Sequence, residues 1–277
     1  MRGLRPLAEK SITVDGQELA YLESPGSGRP IVLVHGNSSA ARTWRALVDG
    51  PFGERFRCLA PDLPGHGGSP PPAAEEAYSL PGYADNLVGF MAATDTEDAV
   101  VVGWSLGGHI AIEAAPRLPH AAGFLIFGTP PVSSPAQLAE AFLLNPAVNI
   151  GFSAEVDDEA ARAYAASFLA PGSAYPVAEL VADILATDGS ARAGLLASLG
   201  AGRFADEVAI VAGLTQPLAV LHGEDEQLVN LDYLNSVPMP TLWRGQVRIL
   251  PAIGHAPHLE ASEQFAAVLT EFLTDLG

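Results

Sequence analysis

Three short apolar runs that each close on turn-forming residues limit this chain to a narrow set of architectures. They are Ile31 to Gly36 (IVLVHG), Phe56 to Asp62 and Ala99 to Ser105. Without the polar alternation of a half-solvated strand, such runs read as strands buried on both faces of a parallel sheet. Helical spacing fills the gaps, at 40 to 49 around Trp44, at 81 to 93 around Leu87 and Phe90, and at 106 to 117 behind Ser105. Strand and helix in alternation are the βαβ pattern, so the fold class is α/β with a mostly parallel central sheet flanked by helices.

A further strand, Gly123 to Gly128, ends in Thr129, Pro130 and Pro131, and the next of its kind begins only near Leu218. The intervening stretch of about eighty residues is far longer than a connecting loop. It is rich in Ala and Leu, with expected helices near 135 to 144, 157 to 169, 176 to 187 and 190 to 199. The expected organisation is a core of residues 1–132 and 213–277 interrupted by a helical cap over 133–212. The core resumes with Leu218 to Leu221, a strand at 247 to 251 and a final helix from 261 to 275.

Composition removes whole classes of partner. Lys and Arg number 14 against 32 Asp and Glu, for a formal charge of -18 that repels phosphate backbones and anionic headgroups, so neither nucleic acid nor a membrane surface is an expected partner. Hydrophobic residues make up 48% and charged residues 17%, enough for a sizeable core. Cys58 is the single cysteine and lies in an apolar run, which excludes an intrachain disulfide and suggests a buried thiol. The opening Met1 to Pro6 leads into no apolar stretch of signal-peptide length, and no run of about 18 apolar residues spans a bilayer; the expectation is a cytoplasmic protein.

Gly103-Trp104-Ser105-Leu106-Gly107 matches G-x-S-x-G at a strand-to-helix junction, where a sharp turn holds a serine hydroxyl exposed. A hydroxyl is a weak nucleophile at neutral pH and needs a base, which in turn needs an orienting carboxylate. His255, after a strand and before the last helix, is the candidate base. His66 and His222 lie in turns at strand ends, His109 within the helix after Ser105, and His120 at a helix end; these read as packing or supporting residues, and His35 as shaping its turn. The acid belongs between Ser and His in chain order, where His222-Gly223-Glu224-Asp225-Glu226 offers three carboxylates. Position after the strand-end glycine selects Glu226, with Asp225 as rival and Glu224 as a solvated turn residue. For the oxyanion formed by attack on a carbonyl, the candidate donors are the backbone N–H groups of Leu106 and Asn37. No metal or nucleotide motif is present, and catalysis without metal or cofactor is expected.

The segments HGNSS (35–39), APDLPGHGGS (60–69), YSLPGYAD (78–85), GWSLGGHIAIE (103–113), GTPPV (128–132) and GHAP (254–257) together resemble the AidH-type N-acyl-homoserine lactonases of the α/β-hydrolase superfamily. The resemblance runs through Tyr164-Ala165, Thr187-Asp188-Gly189, Glu226 and Leu242-Trp243. It implies an α/β-hydrolase fold with an inserted helical cap and a metal-independent lactonase acting on bacterial quorum-sensing signals. It also implies Glu as the triad acid, which favours Glu226. Haloalkane dehalogenases share a similar HGN segment but need an aspartate where Ser105 stands. One departure is His258, at a position the family fills with an aromatic residue, which implies an altered pocket rim and leaves acyl-chain preference open. On this reading Tyr164 and Trp104 are candidate substrate-binding residues, either of which also suits an aromatic core. The residues are compatible with a covalent ester on Ser105 and equally with Ser105-assisted attack by water. The alternatives are a general carboxylesterase on small linear esters, using the same machinery, and a ligand sensor that binds without turnover.

Overall fold

In the computed structural model, which describes residues 9–277, eight strands form one sheet in the order β1-β2-β4-β3-β5-β6-β7-β8. They are β1 (Glu9–Val14), β2 (Gln17–Glu23), β3 (Gly28–Val34), β4 (Phe56–Pro61), β5 (Val100–Trp104), β6 (Gly123–Phe127), β7 (Leu218–Gly223) and β8 (Arg248–Leu250). β1 pairs with β2, and β2 with β4, antiparallel; every other pairing is parallel. The expected α/β class and mostly parallel sheet are therefore what the chain adopts. The opening Met1 to Pro6 segment lies outside the described residues.

The apolar runs are the middle of this sheet. β5, β6 and β7 are buried along their whole length, and each fully buried Val, Leu, Ile or Phe contributes about 1.5 to 3 kcal/mol through removal from water. One face carries Trp44, Leu47, Phe52, Phe265 and Phe272, from the segments after β3 and the final helix Ser262–Asp275. The other carries Leu87, Phe90, Met91 and Ile110, from the helices Leu80–Ala93 and Leu106–Ala114. Ser79 starts the first of these by accepting the Gly82 N–H, a side-chain cap for an otherwise unpaired donor.

β6 and β7 lie side by side, yet the chain between them makes a long excursion. It contains short helical turns at Pro135–Gln137, Leu138–Ala141 and Pro146–Phe152, then the helices Asp158–Ser167, Ala178–Ala186, Gly189–Gly200 and Glu207–Gly213. Asp157, Asp188 and Asp206 each cap the helix that follows. The helix Glu207–Gly213 packs against Leu106–Ala114. Arg42, in the helical turn Ala41–Trp44 after β3, pairs with Asp183 at 2.7 Å, and the buried Arg192 donates to the carbonyls of Ser153, Ala154 and Ile184, tying the excursion together and to the core. Among the described residues no helix is long and apolar enough to cross a membrane.

Candidate active site

Ser105 ends β5 and precedes the helix Leu106–Ala114, with φ +53° and ψ −117°. A non-glycine residue in that region is strained by about 1 to 3 kcal/mol and persists only when its surroundings hold it. Here the Ser105 N–H donates to the Phe127 carbonyl at 2.9 Å, while the Ser105 carbonyl accepts from Gly108 N–H at 2.9 Å and Thr129 Oγ1 at 2.8 Å. The serine is thus lifted clear of both strand and helix.

His255 follows β8 on a loop, with its ring against the end of β6. At Gly128, φ +63°, a Cβ would stand 2.5 Å from the ring, so this position needs glycine twice over. The His255 carbonyl accepts from Trp104 Nε1 at 3.1 Å, and Phe168 stacks on the imidazole. Nδ1 donates to Glu226, 2.8 Å from Oε2 and 3.0 Å from Oε1, and Oε1 also accepts the Leu228 N–H at 2.8 Å. Both side chains are buried. Burial pushes the Glu226 carboxyl up, but the facing His255 and the hydrogen bonds from His255 and Leu228 outweigh it, so the carboxyl lies below its usual value and is ionised at neutral pH. Asp225, the rival acid, is exposed, and Glu224 turns away to accept the Ala252 N–H.

Ser105, Leu106 and His255 line one pocket with Asn37, His109 and Tyr164. Its cavity volume is about 90 Å³, and its remaining walls are apolar, including Val132, Leu138, Phe142, Phe152, Leu195 and Leu199. As the first residue of its helix, Leu106 has an N–H with no preceding turn to receive it. Asn37 sits in a turn that two histidines hold: His35 Nε2 accepts the Leu63 N–H at 3.0 Å, and His66 Nε2 accepts the Ser38 N–H at 3.3 Å. Burial lowers His35 to about 4 and His66 to about 3, so both stay neutral acceptors. Asn37 Nδ2 reaches across to the Gly151 carbonyl at 2.6 Å. A Cβ at Gly151 would stand 2.3 Å from the Tyr164 hydroxyl, so the turn Pro146–Phe152 closes tightly on Tyr164 and Asn37 together. Burial raises the Tyr164 hydroxyl well above its usual value and keeps it protonated.

Two expectations change. Trp104 is wholly buried and absent from the pocket lining: it packs against Phe168 and His258, and its Nε1 donates to the His255 carbonyl. His258 is not at a rim either; it is buried among Trp44, Trp104, Phe127 and Phe265, and burial lowers it far enough to remain neutral. It fills the place of an aromatic ring as a core residue. His222 is buried beside the Glu226–His255 pair and His120 is exposed. The pairing of His109 with Glu207 was not legible, because no spacing links residues so far apart. The available signal was only that His109 stands four residues after Ser105, on the same helix face. Among the described residues no three side chains of His, Cys, Asp or Glu stand together as a metal site.

A strained serine between strand and helix, a buried imidazole–carboxylate pair beside its pocket, and a sheet of this order define a class. Residues 31–268 match the alpha/beta hydrolase family, and the chain belongs to it. Within that family it is built like the N-acyl homoserine lactonase AidH. A serine-to-glycine mutant of AidH complexed with N-hexanoyl homoserine lactone superposes with a TM-score of 0.93 at 35% identity, covering 98% of each chain. A glutamate-to-glycine mutant complexed with N-hexanoyl homoserine matches with the same TM-score and identity over 98% of this chain and 97% of that one. A pimeloyl-[acyl-carrier protein] methyl ester esterase of Methylococcus capsulatus is 29% identical over 257 residues, covering 91% of this chain and 98% of its own. An uncharacterised protein of Mycobacterium tuberculosis is 36% identical over 129 residues, which span 46% of this chain and 37% of that protein.

Proposed function

We propose that this protein opens the lactone ring of N-acyl homoserine lactones, with Ser105 as nucleophile, His255 as general base and acid, and Glu226 as its orienting carboxylate. The observation that carries the reading is the pocket itself. Ser105 and the Glu226-oriented His255 border one chamber whose lining joins Asn37, His109 and Tyr164 to apolar side chains, the chemistry that a lactone head with an acyl tail calls for. The likeness to AidH, seen with N-hexanoyl homoserine lactone, supports the substrate class.

Glu226 accepts Nδ1–H and thereby leaves Nε2 of the neutral ring as the basic nitrogen. Nε2 takes the Ser105 hydroxyl proton as Oγ attacks the lactone carbonyl carbon. The resulting oxyanion is received by the N–H groups of Leu106 and Asn37; losing one such donor costs about 3 kcal/mol of transition-state stabilisation. Collapse breaks the ring C–O bond, the imidazolium returns its proton to the leaving alkoxide, and an acyl-enzyme carries the free hydroxyl of the opened ring. Water, deprotonated by Nε2, then attacks the ester; Ser105 regains its proton and N-acyl homoserine leaves as a carboxylate. Tyr164, on the wall beside Asn37, is the candidate to hydrogen-bond the substrate near the oxyanion.

The test is the ratio of kcat/KM for N-hexanoyl homoserine lactone to that for p-nitrophenyl hexanoate. A lactone preference supports the proposal. Brisk cleavage of the linear ester with no ring opening would leave a carboxylesterase, the activity named for the Methylococcus relative, and discard the lactonase reading.

A further inference from the structure

The pocket contains a second imidazole–carboxylate pair for which the hydrolytic steps have no use. His109 lines the chamber one helical turn beyond Ser105, and its Nδ1 lies 2.8 and 3.0 Å from the two oxygens of Glu207. Glu207 is fully buried, at the start of the helix Glu207–Gly213, and its Oε2 also accepts the Val132 N–H at 2.9 Å. A carboxylate held in this way fixes the tautomer: Nδ1 carries its proton to Glu207, which leaves Nε2 as the nitrogen that can accept. Among the described residues Nε2 has no hydrogen-bond partner, and the ring's neighbours in the chamber are apolar, with the Phe142 ring centroid 6.4 Å away.

We infer that His109 is a specificity-determining residue whose Nε2 accepts the amide N–H of the acyl-homoserine substrate. The inference rests on the lactonase reading and adds what sets the substrate apart from a simple lactone. The amide nitrogen lies two bonds from the carbonyl carbon that Ser105 attacks. Ser105 and His109 line the same chamber, with the first turn of the helix Leu106–Ala114 running from one to the other, so a substrate held at the Ser105 hydroxyl presents its amide nitrogen to a space that the His109 ring borders. An amide N–H enclosed by apolar walls must find an acceptor or lose its hydration uncompensated. Asn37 Oδ1 already accepts the Ser38 hydroxyl and keeps one lone pair, whereas His109 Nε2 accepts from no described residue.

The experiment compares N-hexanoyl homoserine lactone with α-(2-oxoheptyl)-γ-butyrolactone, in which CH2 replaces the amide N–H and all else is kept. Ring opening is followed chromatographically in the wild type, His109→Phe and Glu207→Gln. The wild type should favour the amide by about tenfold or more in kcat/KM, as expected for one buried hydrogen bond. His109→Phe should bring that ratio toward one. Glu207→Gln keeps the Val132 N–H bond through its amide oxygen but presents NH2 to Nδ1, which moves the ring proton to Nε2 and turns the acceptor into a donor; the ratio should collapse with His109 still in place. A merely structural role would lower both substrates equally and leave the ratio at the wild-type value, and that result, in a folded variant of either kind, overturns the inference. Wild-type enzyme that opens neither lactone overturns the lactonase reading and this inference with it, whereas opening of both without discrimination overturns the inference alone.

Discussion

Replacing Glu226 by Gln removes the charge that orients His255 while changing almost nothing else. The amide oxygen can still accept the Leu228 N–H, now held at 2.8 Å by Oε1. The NH2 then faces Nδ1, which must accept, and the ring proton moves to Nε2, where the base is needed. Catalysis must proceed through the minor tautomer and an imidazolium with no facing charge. For a buried Asp or Glu in this role the loss is about 10³ to 10⁴ in kcat, or about 4 to 5.5 kcal/mol. Glu226 is absent from the pocket wall, so KM should stay within about threefold. Glu226→Asp tests distance alone: shortening the side chain by one C–C bond opens the 2.8 Å contact toward about 4 Å, beyond hydrogen-bonding range, and should give a smaller loss, about 10- to 100-fold. Steady-state ring opening, with thermal unfolding to verify folding, reads both variants. A Glu226→Gln enzyme that keeps more than about a tenth of wild-type kcat would refute the assigned role.

The buried histidines predict acid lability. His35 and His66 have folded-state values of about 4 and about 3, below the ordinary value, so the unfolded chain takes up protons first as pH falls; the stability they contribute is complete above about 6.5 and is lost progressively as pH drops toward 4. His35 alone accounts for about 3 kcal/mol across that window, and urea midpoints at pH 7 and pH 4.5 should differ accordingly, with an unchanged midpoint as the contrary result. Gly128→Ala combines a positive φ with a Cβ 2.5 Å from the His255 ring and should lower kcat at least tenfold, as measured by ring opening in a variant whose far-UV dichroism is unchanged. Trp104→Phe keeps the ring packing but removes the hydrogen bond to the His255 carbonyl; it should cost about 1 kcal/mol in chemical denaturation and lower kcat more than it raises KM.

Much of the fold is readable in the chain because its central strands are buried on both faces, and continuous apolar runs such as Val100 to Val102 admit few other readings. The antiparallel edge is less legible. β1 (EKSITV) and β2 (QELAYLE) show neither a continuous apolar run nor a clean alternation and owe their place to pairing with each other and with β4, a long-range contact that local pattern does not carry. The turn Pro146–Phe152 has no helical period, since its form depends on Asn37 and Tyr164 packing against it. At the site, Ser105 is announced by its turn and Glu226 by its distance from the strand end. On sequence Trp104 suits a pocket wall or an aromatic core, and the side it takes is decided by the pleat of β5. His258 reads as a rim residue only through the family resemblance, and its place is decided by partners as distant as Trp44 and Phe265. The pairing of His109 with Glu207 joins the nucleophile helix to the end of the long excursion, and only the folded chain brings the two together.

The most direct test of the account is acid release from N-hexanoyl homoserine lactone, measured by pH-stat with chelator-treated wild-type enzyme and with Ser105→Ala. The account predicts chelator-resistant ring opening that falls by at least 10³-fold in Ser105→Ala, with substrate still bound. Ring opening that survives the loss of Ser105, or that disappears with chelation and returns with metal, would contradict it.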